Sequence, residues 1–342
     1  MKTFPHLLFQ RYLLFLATMI VISWAAIPYR LQLSFPRLPG PEFDRRVRKT
    51  YIDLMNEEKP EVVLLGDSTL MDGVDPGLLS ELLHKKVSSY PVPGSASAFW
   101  YVVLKNNIVA AKHRPQAIVV IFRDTMLTAP GYRVRGEYFT QLDEYAKKQE
   151  PILLEKAYLN QMNAVDLWAQ QNFPLYSTRA EFQKRIDARI RYSVTAWLNC
   201  DRVCTDHGMY DVFTSADLEP GQLRNAVATA EQYLYSPNQL DFSSRVEKSF
   251  LPDMIELAKN RGVPLILVRL KSRVAGNVES AALKEYVTSL STYLAEREVV
   301  FLDYGRDAKL SEDLFADLLH LSPQGRQIFT GMLAGGLKEV LQ

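Results

Sequence analysis

Ser68 is the residue of this sequence with the clearest capacity for chemistry. A short apolar run from Val62 to Leu65 ends at Gly66, and Asp67 and Ser68 follow. This order predicts a buried strand whose carboxyl end delivers a hydroxyl to the mouth of an open sheet, where α/β folds place their ligands. A serine hydroxyl is a weak nucleophile at its ordinary pKa, so it needs a base, an acid that orients the base, and oxyanion donors. The alternative is that Gly-Asp-Ser is only the turn that ends a strand.

A base and its partner stand near the carboxyl terminus. Asp317 and His320 are three positions apart, and Ser322 followed by Pro323 predicts a helix that begins just after them. In such a turn the carboxylate can bind one imidazole nitrogen, fix the tautomer and leave the other nitrogen free to take a proton. Loops at the carboxyl ends of parallel strands share one edge of the sheet, so His320 can reach Ser68. Taken alone, an Asp-x-x-His turn also fits a purely structural hydrogen bond.

Strands and helices alternate on both sides of a long interruption. The predicted strands are Glu61–Leu65, Val87–Tyr90, Ala117–Phe122, Pro264–Leu270 and Val299–Leu302. The predicted helices are Asp75–Leu83, Ala98–Lys112, Pro252–Arg261, Ala281–Glu296 and one that follows Ser322. This alternation indicates right-handed crossovers and a parallel sheet with helices on both faces, an α/β three-layer sandwich.

The interruption, residues 125 to about 244, is too long for an ordinary connection. Ile152–Gln170 and Ala180–Leu198 carry apolar residues at helical spacing, so we expect a helical insertion that closes over the carboxyl edge of the sheet. The second helix also carries basic residues away from its apolar stripe, namely Lys184, Arg185, Arg189 and Arg191. They fit a solvated face, or less simply a patch for an anionic ligand.

The amino terminus differs from the rest of the chain. Tyr12 to Pro28 contains no charge and follows Arg11, which fits a signal peptide or a slightly short membrane helix. Ser23-Trp24-Ala25 would serve as a cleavage site, and a core helix of a soluble protein is the third alternative. We predict an uncleaved anchor over residues 1–30, a linker over 31–59 and the catalytic domain over 60–342.

We expect the domain on the extracytoplasmic side of the membrane, although the positive-inside rule by itself argues otherwise. Six basic residues follow the apolar run: Arg30, Arg37, Arg45, Arg46, Arg48 and Lys49. Cys200 and Cys204 are the only cysteines, and two thiolates cannot close a zinc site, so a local disulfide is the best interpretation and agrees with export. The alternative is two unrelated thiols, because cysteines four apart on a regular helix fit disulfide geometry poorly.

Composition sets the broad class. The 342 residues suffice for one large or two smaller domains, and 47% hydrophobic with 23% charged residues is typical of a globular chain. Forty basic and thirty-nine acidic residues leave a net charge of +1, which gives no indication of nucleic-acid binding. We predict no metal site and no cofactor.

Together these motifs resemble the SGNH/GDSL hydrolase superfamily. The resemblance covers roughly residues 60–124 and 250–342, and it implies a flavodoxin-like sandwich with serine-dependent acyl transfer or hydrolysis. It also implies that Ser68 is the nucleophile, His320 the base and Asp317 its orienting acid. Gly94, in Pro-Gly-Ser after the second strand, matches the glycine whose backbone N–H serves the oxyanion.

The sequence departs from the family after the third strand. Where the family usually has Gly-x-Asn-Asp, this chain has Ile121-Phe122-Arg123-Asp124. Either the Arg123 guanidinium replaces the asparagine amide, or the oxyanion is held by backbone groups alone. Arg123 as a structural ion-pair partner is a further alternative.

An anchor, one SGNH-like domain and a helical insertion are similar to proteins that acylate cell-envelope polymers beside a membrane-bound O-acyltransferase. Examples are the lipoteichoic acid D-alanylation protein and the alginate O-acetylation proteins. The resemblance implies an acyl donor supplied by that membrane partner and a polysaccharide or polyol acceptor. Two other hypotheses stay open: an extracytoplasmic esterase or deacetylase with the same residues, and a non-catalytic envelope scaffold with the same fold.

Overall fold

The computed structural model describes residues 4–43, 50–179, 199–205, 231–272 and 279–341, with residues 182, 186, 189, 190, 192, 193, 197, 228 and 229 between them. These residues form two compact units. The N-terminal unit comprises Met1–Pro41 and Gln161–Gln222. The sheet unit comprises Glu42–Asn160 and Leu223–Gln342.

The sheet unit is built on five parallel strands. In chain order they are β1 (Val62–Gly66), β2 (Val87–Pro91), β3 (Ala117–Phe122), β4 (Leu265–Arg269) and β5 (Val300–Asp303). Their order across the sheet is β2-β1-β3-β4-β5, and every neighbouring pair is parallel. This is the flavodoxin-like order, so the predicted fold class is confirmed. Each predicted strand lies within two residues of its expected bounds.

Helices cover both faces of the sheet. Within the described part of the sheet unit, the helices with defined bounds are α1 (Thr50–Glu58), α2 (Ser68–Gly73), α3 (Pro76–Leu83), α4 (Ser97–Val103), α5 (Glu137–Asp143), α6 (Pro151–Ala157), α7 (Pro237–Leu240), α8 (Phe242–Arg245), α9 (Leu251–Arg261), α10 (Ala281–Ala295) and α11 (Pro323–Val340). A π-helical turn, Leu104–Ile108, extends α4. The central strands are buried on both faces, which explains their unbroken apolar runs.

Alternate strand residues point to a core beneath α2, α3 and α11. Leu64, Val119 and Ile266 belong to this cluster, and Leu70 and Phe329 reach it from the helices. Each such side chain contributes roughly 1.5–3 kcal/mol by leaving water. The same packing presses the start of α11 toward α2, which brings the loop that precedes α11 to the end of β1.

The segment expected to be a linker is partly folded. Helix α1 lies within it, and Met55 of that helix is fully buried. Asn56 accepts hydrogen bonds from the N–H groups of Lys112 and His113, and Phe43 packs against Phe139 at 5.8 Å between ring centroids. Charge and proline content predicted an open chain here, but a few apolar residues at the correct spacing suffice to bury a short helix.

The single helix predicted over Ile152–Gln170 is wrong. The chain forms α6, a short 3₁₀ turn (Leu159–Gln161), and a separate helix, Ala164–Asn172. Asn163 starts the second helix, because its side chain accepts the N–H of Asp166 at 2.9 Å. Apolar spacing alone gives no information about a cap inside the run.

The N-terminal unit contains one long apolar helix, Phe4–Leu31. Its portion Phe9–Leu31 is long and apolar enough to cross a membrane, and nearly all of that portion is exposed. Two shorter helices, Ala164–Asn172 and Pro174–Ser177, belong to the same unit. Most of the helix predicted over Ala180–Leu198, including Lys184, Arg185 and Arg191, lies outside the described residues.

Cys200 and Cys204 form a disulfide in the structure. The predicted obstacle, two cysteines four apart on one helix, does not arise because Cys200 precedes the helical turn. Asp201 caps that turn by accepting the N–H of Cys204 at 2.8 Å.

Both ends of the insertion return to the carboxyl end of β3. The Thr125 hydroxyl donates to the carbonyl of Leu234 at 2.7 Å, and the Tyr235 hydroxyl donates to Asp124. These two contacts of the insertion therefore lie at this edge. Coverage of the site by residues 161–222 stays a prediction.

Candidate active site

Ser68 lies directly after the central strand β1, at the first residue of α2. A side chain at Gly66 would come within 2.9 Å of the Ile121 carbonyl oxygen and 2.8 Å of Leu70, so only glycine allows this tight strand-to-helix turn. Asp67 caps α2, since its carboxylate accepts the N–H and the hydroxyl of Thr69 at 2.8 and 2.6 Å. The turn holds Ser68 half-buried at the point where β1 and β3 diverge, the switch point at which such folds bind ligands.

The structure brings Ser68, His320 and Asp317 into one hydrogen-bonded chain. The Oγ of Ser68 lies 2.9 Å from Nε2 of His320, across 252 positions of sequence. The Nδ1 of His320 lies 2.8 Å from Oδ2 of Asp317. An ionised carboxylate only accepts hydrogen bonds, so Nδ1 carries the proton, and Nε2 of the neutral ring accepts from the Ser68 hydroxyl. This geometry allows His320 to take the serine proton when Ser68 attacks a carbonyl.

The loop that carries His320 is fixed by its own backbone. The other carboxylate oxygen of Asp317 accepts the N–H groups of Leu319 and His320, both at 2.7 Å. The N–H of Ala316 donates to the His320 carbonyl at 2.9 Å, which closes the turn. Ser322 then caps α11, as predicted, by accepting the N–H of Gly325 at 3.2 Å.

These contacts separate the pKa values of the two partners. Burial would raise the pKa of Asp317, but hydrogen bonds from the His320 ring and from the two backbone N–H groups outweigh it and lower that pKa to about 2. The hydrogen bond to Asp317 raises the pKa of His320 above its ordinary 6.5, against the opposing effect of burial. The ring is therefore held ready to accept and keep a proton.

A second carboxylate faces the reactive nitrogen of His320. Asp72 stands four residues after Ser68 on α2, on the same face of the helix, and its Oδ2 lies 4.0 Å from Nε2. Its charge adds to the rise in the pKa of His320. Sequence reasoning missed Asp72, although its spacing from Ser68 was a usable signal.

Replacing Asp72 tests this electrostatic contact. In Asp72→Asn the protonated ring loses one neighbouring negative charge, so we expect the pKa of His320 to fall toward its ordinary value. An NMR titration of the His320 ring measures it directly. Glu81→Gln removes an exposed carboxylate from α3 and should leave the titration unchanged. An unaltered midpoint in Asp72→Asn would show that solvent screens the contact completely.

Gly94 lies on the loop after β2, beside the Ser68 turn. The register pairs Gly66 with Pro91, and the Val92 N–H donates to the Gly66 carbonyl at 2.9 Å, so the two loops leave the sheet together. Gly94 has a φ of +73°, which favours glycine. Its N–H has no hydrogen-bond partner among the residues that the structure describes, so it is able to donate a hydrogen bond to a developing oxyanion.

Arg123 follows β3 on the other side of the switch point. Its side chain is buried, with 6% exposure, and its Nε has no hydrogen-bond partner within the described part of the chain. It stands near Glu231, whose pKa is raised by burial and lowered in part by the Arg123 charge. A buried guanidinium with an unsatisfied donor is a costly feature, which a negatively charged ligand would relieve.

A second buried arginine connects the ends of three strands. Arg269 is 1% exposed. Its Nε lies 2.8 Å from the Asp124 carboxylate, its Nη1 lies 3.2 Å from the Asp303 carboxylate, and its Nη2 contacts Glu279. Burial would lower the pKa of Arg269, but the three carboxylates raise it, so the group stays charged. Sequence analysis missed this network, whose only signal was a charged residue at the end of an apolar strand.

Comparison with known proteins gives matches among solved structures only. No family model and no curated protein matches this chain. A GDSL-like lipase from Bacteroides thetaiotaomicron is 10% identical, with 85% of this chain and 98% of the lipase covered and a TM-score of 0.38. A variant of an acetyl-xylooligosaccharide esterase from Geobacillus Stearmophilus is also 10% identical, with 82% and 93% covered and a TM-score of 0.37.

A third match is an α/β hydrolase from the metagenome of Lake Arreo in Spain. It is 12% identical, with 81% of this chain and 95% of that protein covered and a TM-score of 0.34. GDSL-like structures are thus among those that this chain resembles, and the function proposed below rests on the chain's own side chains.

Proposed function

We propose that this protein is an SGNH-type serine acyltransferase that acts through an acyl-Ser68 intermediate. The observation that carries the proposal is the hydrogen-bonded chain from Ser68 through His320 to Asp317. The base is within hydrogen-bonding distance of both the nucleophile and the orienting acid, which is the arrangement that serine-dependent acyl transfer needs.

The reaction proceeds in two halves. The Ser68 oxygen attacks the carbonyl carbon of an acyl donor while its proton passes to Nε2 of His320. The imidazolium, stabilised by Asp317, then protonates the leaving group, and an ester of Ser68 remains. In the second half an acceptor hydroxyl gives its proton to His320 and attacks the carbonyl carbon of that ester. The bond from this carbon to the Ser68 oxygen breaks, and the imidazolium returns the proton to the serine.

We propose two donors for the oxyanion. One is the backbone N–H of Gly94, on the loop after β2, and the other is the guanidinium of Arg123, directly after β3, in place of the usual asparagine. A charged donor is stronger than a neutral amide, and its unsatisfied Nε favours this role over that of an ion-pair partner. Removal of one such donor typically costs about 10²–10³ in kcat.

The proposed acceptor is a hydroxyl of a cell-envelope or exported polysaccharide or polyol, and the proposed acyl donor is supplied by a membrane-bound O-acyltransferase. Both follow from the resemblance of the whole chain to envelope acylation proteins. An esterase is the second candidate, because His320 and Asp317 keep 25% and 30% of their side-chain surface exposed and water can reach them.

Product partitioning separates the two candidates. The protein is given an activated acetyl ester and a polyol. We expect the ratio of acetylated polyol to free acetate to be far higher than the ratio of polyol to water in the solution. Chromatography of the acetylated polyol against free acetate measures that ratio. Ser68→Ala is the control, since it should form neither product enzymatically. If the two products form in the ratio of the polyol and water concentrations, the protein does not select the polyol and is an esterase.

We further propose a single-pass anchor in the inner membrane, with the sheet unit on the periplasmic side. The exposed apolar span Phe9–Leu31 supports the anchor. The Cys200–Cys204 disulfide supports the orientation, because disulfides persist in oxidising compartments.

Protease accessibility tests this topology. In cells with a permeabilised outer envelope, added protease should digest the sheet unit, while intact protein should stay with the membrane through a high-salt wash. Release of the full-length protein by salt would exclude the anchor. Protection of the sheet unit until the inner membrane is broken would reverse the orientation.

A further inference from the structure

Arg133 stands out among the exposed cations of the sheet unit. Its guanidinium lies 5.1 Å from the ring centroids of both Tyr132 and Tyr138. It forms no ion pair with any carboxylate of the described residues, unlike Arg269 or Lys156. An exposed arginine that is held between two aromatic rings, and that pairs with no carboxylate among the described side chains, keeps its planar set of donors available to a ligand.

The backbone at Arg133 is held in an uncommon conformation. Its φ is +49°, in the left-handed region that costs a residue with a side chain of order 1 kcal/mol or more. The following turn is tied down by the Tyr158 hydroxyl, which donates to the Val134 carbonyl at 2.6 Å. Conformations of this kind persist when surrounding contacts impose them, and they are concentrated at binding sites.

This cation lies against the proposed oxyanion loop. A side-chain carbon added at Gly94 would come within 2.9 Å of the Tyr138 ring and 3.3 Å of Nη1 of Arg133. Gly94 lies on the loop that leaves the sheet beside the Ser68 turn, so the tyrosine ring and the guanidinium lie against the loop of the proposed oxyanion donor. Both side chains belong to the insertion, which we expect to select the acceptor.

We infer that Arg133 and Tyr138 form an acceptor subsite for an anionic polyol or sugar polymer, in which the guanidinium binds the carboxylate or phosphate of the unit next to the acylated one. The inference rests on the proposed function for the position of that unit. An aromatic face packs against the apolar side of a sugar ring, and a planar guanidinium matches the two oxygens of a carboxylate or phosphate. The same chemistry serves uronate polymers and polyol phosphates.

Binding of defined oligomers to the full-length protein in detergent tests the subsite. The probes are hexagalacturonate, a short glycerol-phosphate oligomer and neutral maltohexaose, each measured by calorimetry. We expect at least one anionic oligomer to bind more tightly than maltohexaose, and its affinity to fall with added salt. Which anionic oligomer binds identifies the source of the negative charge. Equal binding of maltohexaose, or binding of no oligomer, would overturn the inference.

Variants assign the effect to one residue. Arg133→Gln should weaken binding of the anionic oligomer about tenfold or more, which corresponds to about 1.4 kcal/mol. Arg133→Lys should recover only part of it, because an ammonium lacks the planar pair of donors. Arg135→Gln removes a neighbouring exposed arginine and should change affinity little. Equal losses in the variants of Arg133 and Arg135 would indicate general surface charge and contradict the subsite.

A separate measurement distinguishes failure of the subsite from failure of the proposed function. Acetylation of Ser68 by a small activated ester does not involve an acceptor, so its rate in the wild type reports on the nucleophile alone, and Arg135→Gln should acetylate at the same rate. If the wild type fails to acetylate while oligomer binding depends on Arg133, the subsite stands and the acyl-enzyme proposal falls. If acetylation is normal and no oligomer binds, only the subsite falls.

Discussion

Replacing Ser68 or His320 with alanine is expected to abolish acyl transfer and ester cleavage. Residues that act as one unit lose about the same activity whichever is removed, so each single variant should lose on the order of 10⁶ in kcat, and the double variant should be little worse. Initial rates with an activated ester, after correction for uncatalysed hydrolysis, measure the loss.

A control variant, a milder variant and a stability measurement make this prediction specific to the three residues. Ser243→Ala alters an exposed serine on α8 and should leave the rate unchanged. Asp317→Asn should cost less than removal of the base, although the comparable change in serine proteases reaches about 10⁴. Thermal unfolding of Ser68→Ala should match the wild type, because the hydroxyl's recorded hydrogen bond is the one to His320. An active Ser68→Ala together with an unfolded His320→Ala would indicate a structural histidine and an idle turn serine.

The largest loss of stability is expected from Arg269→Met. Asp124 and Glu279 are almost fully buried, and the change leaves them without the cation that offsets their burial. Removal of one partner from a buried ion pair costs about 3–5 kcal/mol. Because Asp124 adjoins Arg123, loss of the network should also disturb the proposed oxyanion donor. Denaturant unfolding of the purified protein, followed by tyrosine and tryptophan fluorescence, measures the change.

A surface pair gives the matched control. Lys85 lies 3.7 Å from Glu61 with both side chains partly exposed, so Lys85→Met should change the free energy of unfolding by about 0–1 kcal/mol. If Arg269→Met unfolds at the same denaturant concentration as Lys85→Met, the three carboxylates are not stabilised by Arg269, and the network is not a structural tie between the strands.

The sheet could be predicted because its signal is local. Runs such as Ala117–Phe122 are apolar at every position and too short for a typical helix, which is the pattern of a strand buried on both faces. Capping residues at Asp75 and Ser322 marked two helix starts correctly. The same locality explains the error over Ile152–Gln170, where an internal cap at Asn163 divides one apolar run into two helices.

Residues of the candidate active site could be predicted only where they stand in a short motif or at a characteristic spacing along the sequence. Ser68 and the pair Asp317 and His320 each stand in a short motif at an element boundary, and parallel topology then places them at one edge. Arg269 and Arg133 carry no such mark. The role of Arg269 depends on carboxylates that are distant in the sequence, and that of Arg133 depends on two tyrosine rings, one of which lies against Gly94. Tertiary contacts of this kind produce no regular spacing of residues in the sequence.

The most direct test of the acyl-enzyme is its isolation. The full-length protein is incubated with an activated acetyl ester, quenched in acid and digested, and the peptide that contains Ser68 is sequenced by mass spectrometry. We expect one acetyl group on Ser68 in the wild type, its loss when a polyol acceptor is added before the quench, and no such adduct in Ser68→Ala or His320→Ala. Continued turnover with Ser68 unmodified, or an equal adduct in the His320→Ala variant, would contradict the proposal that Ser68 carries the acyl group.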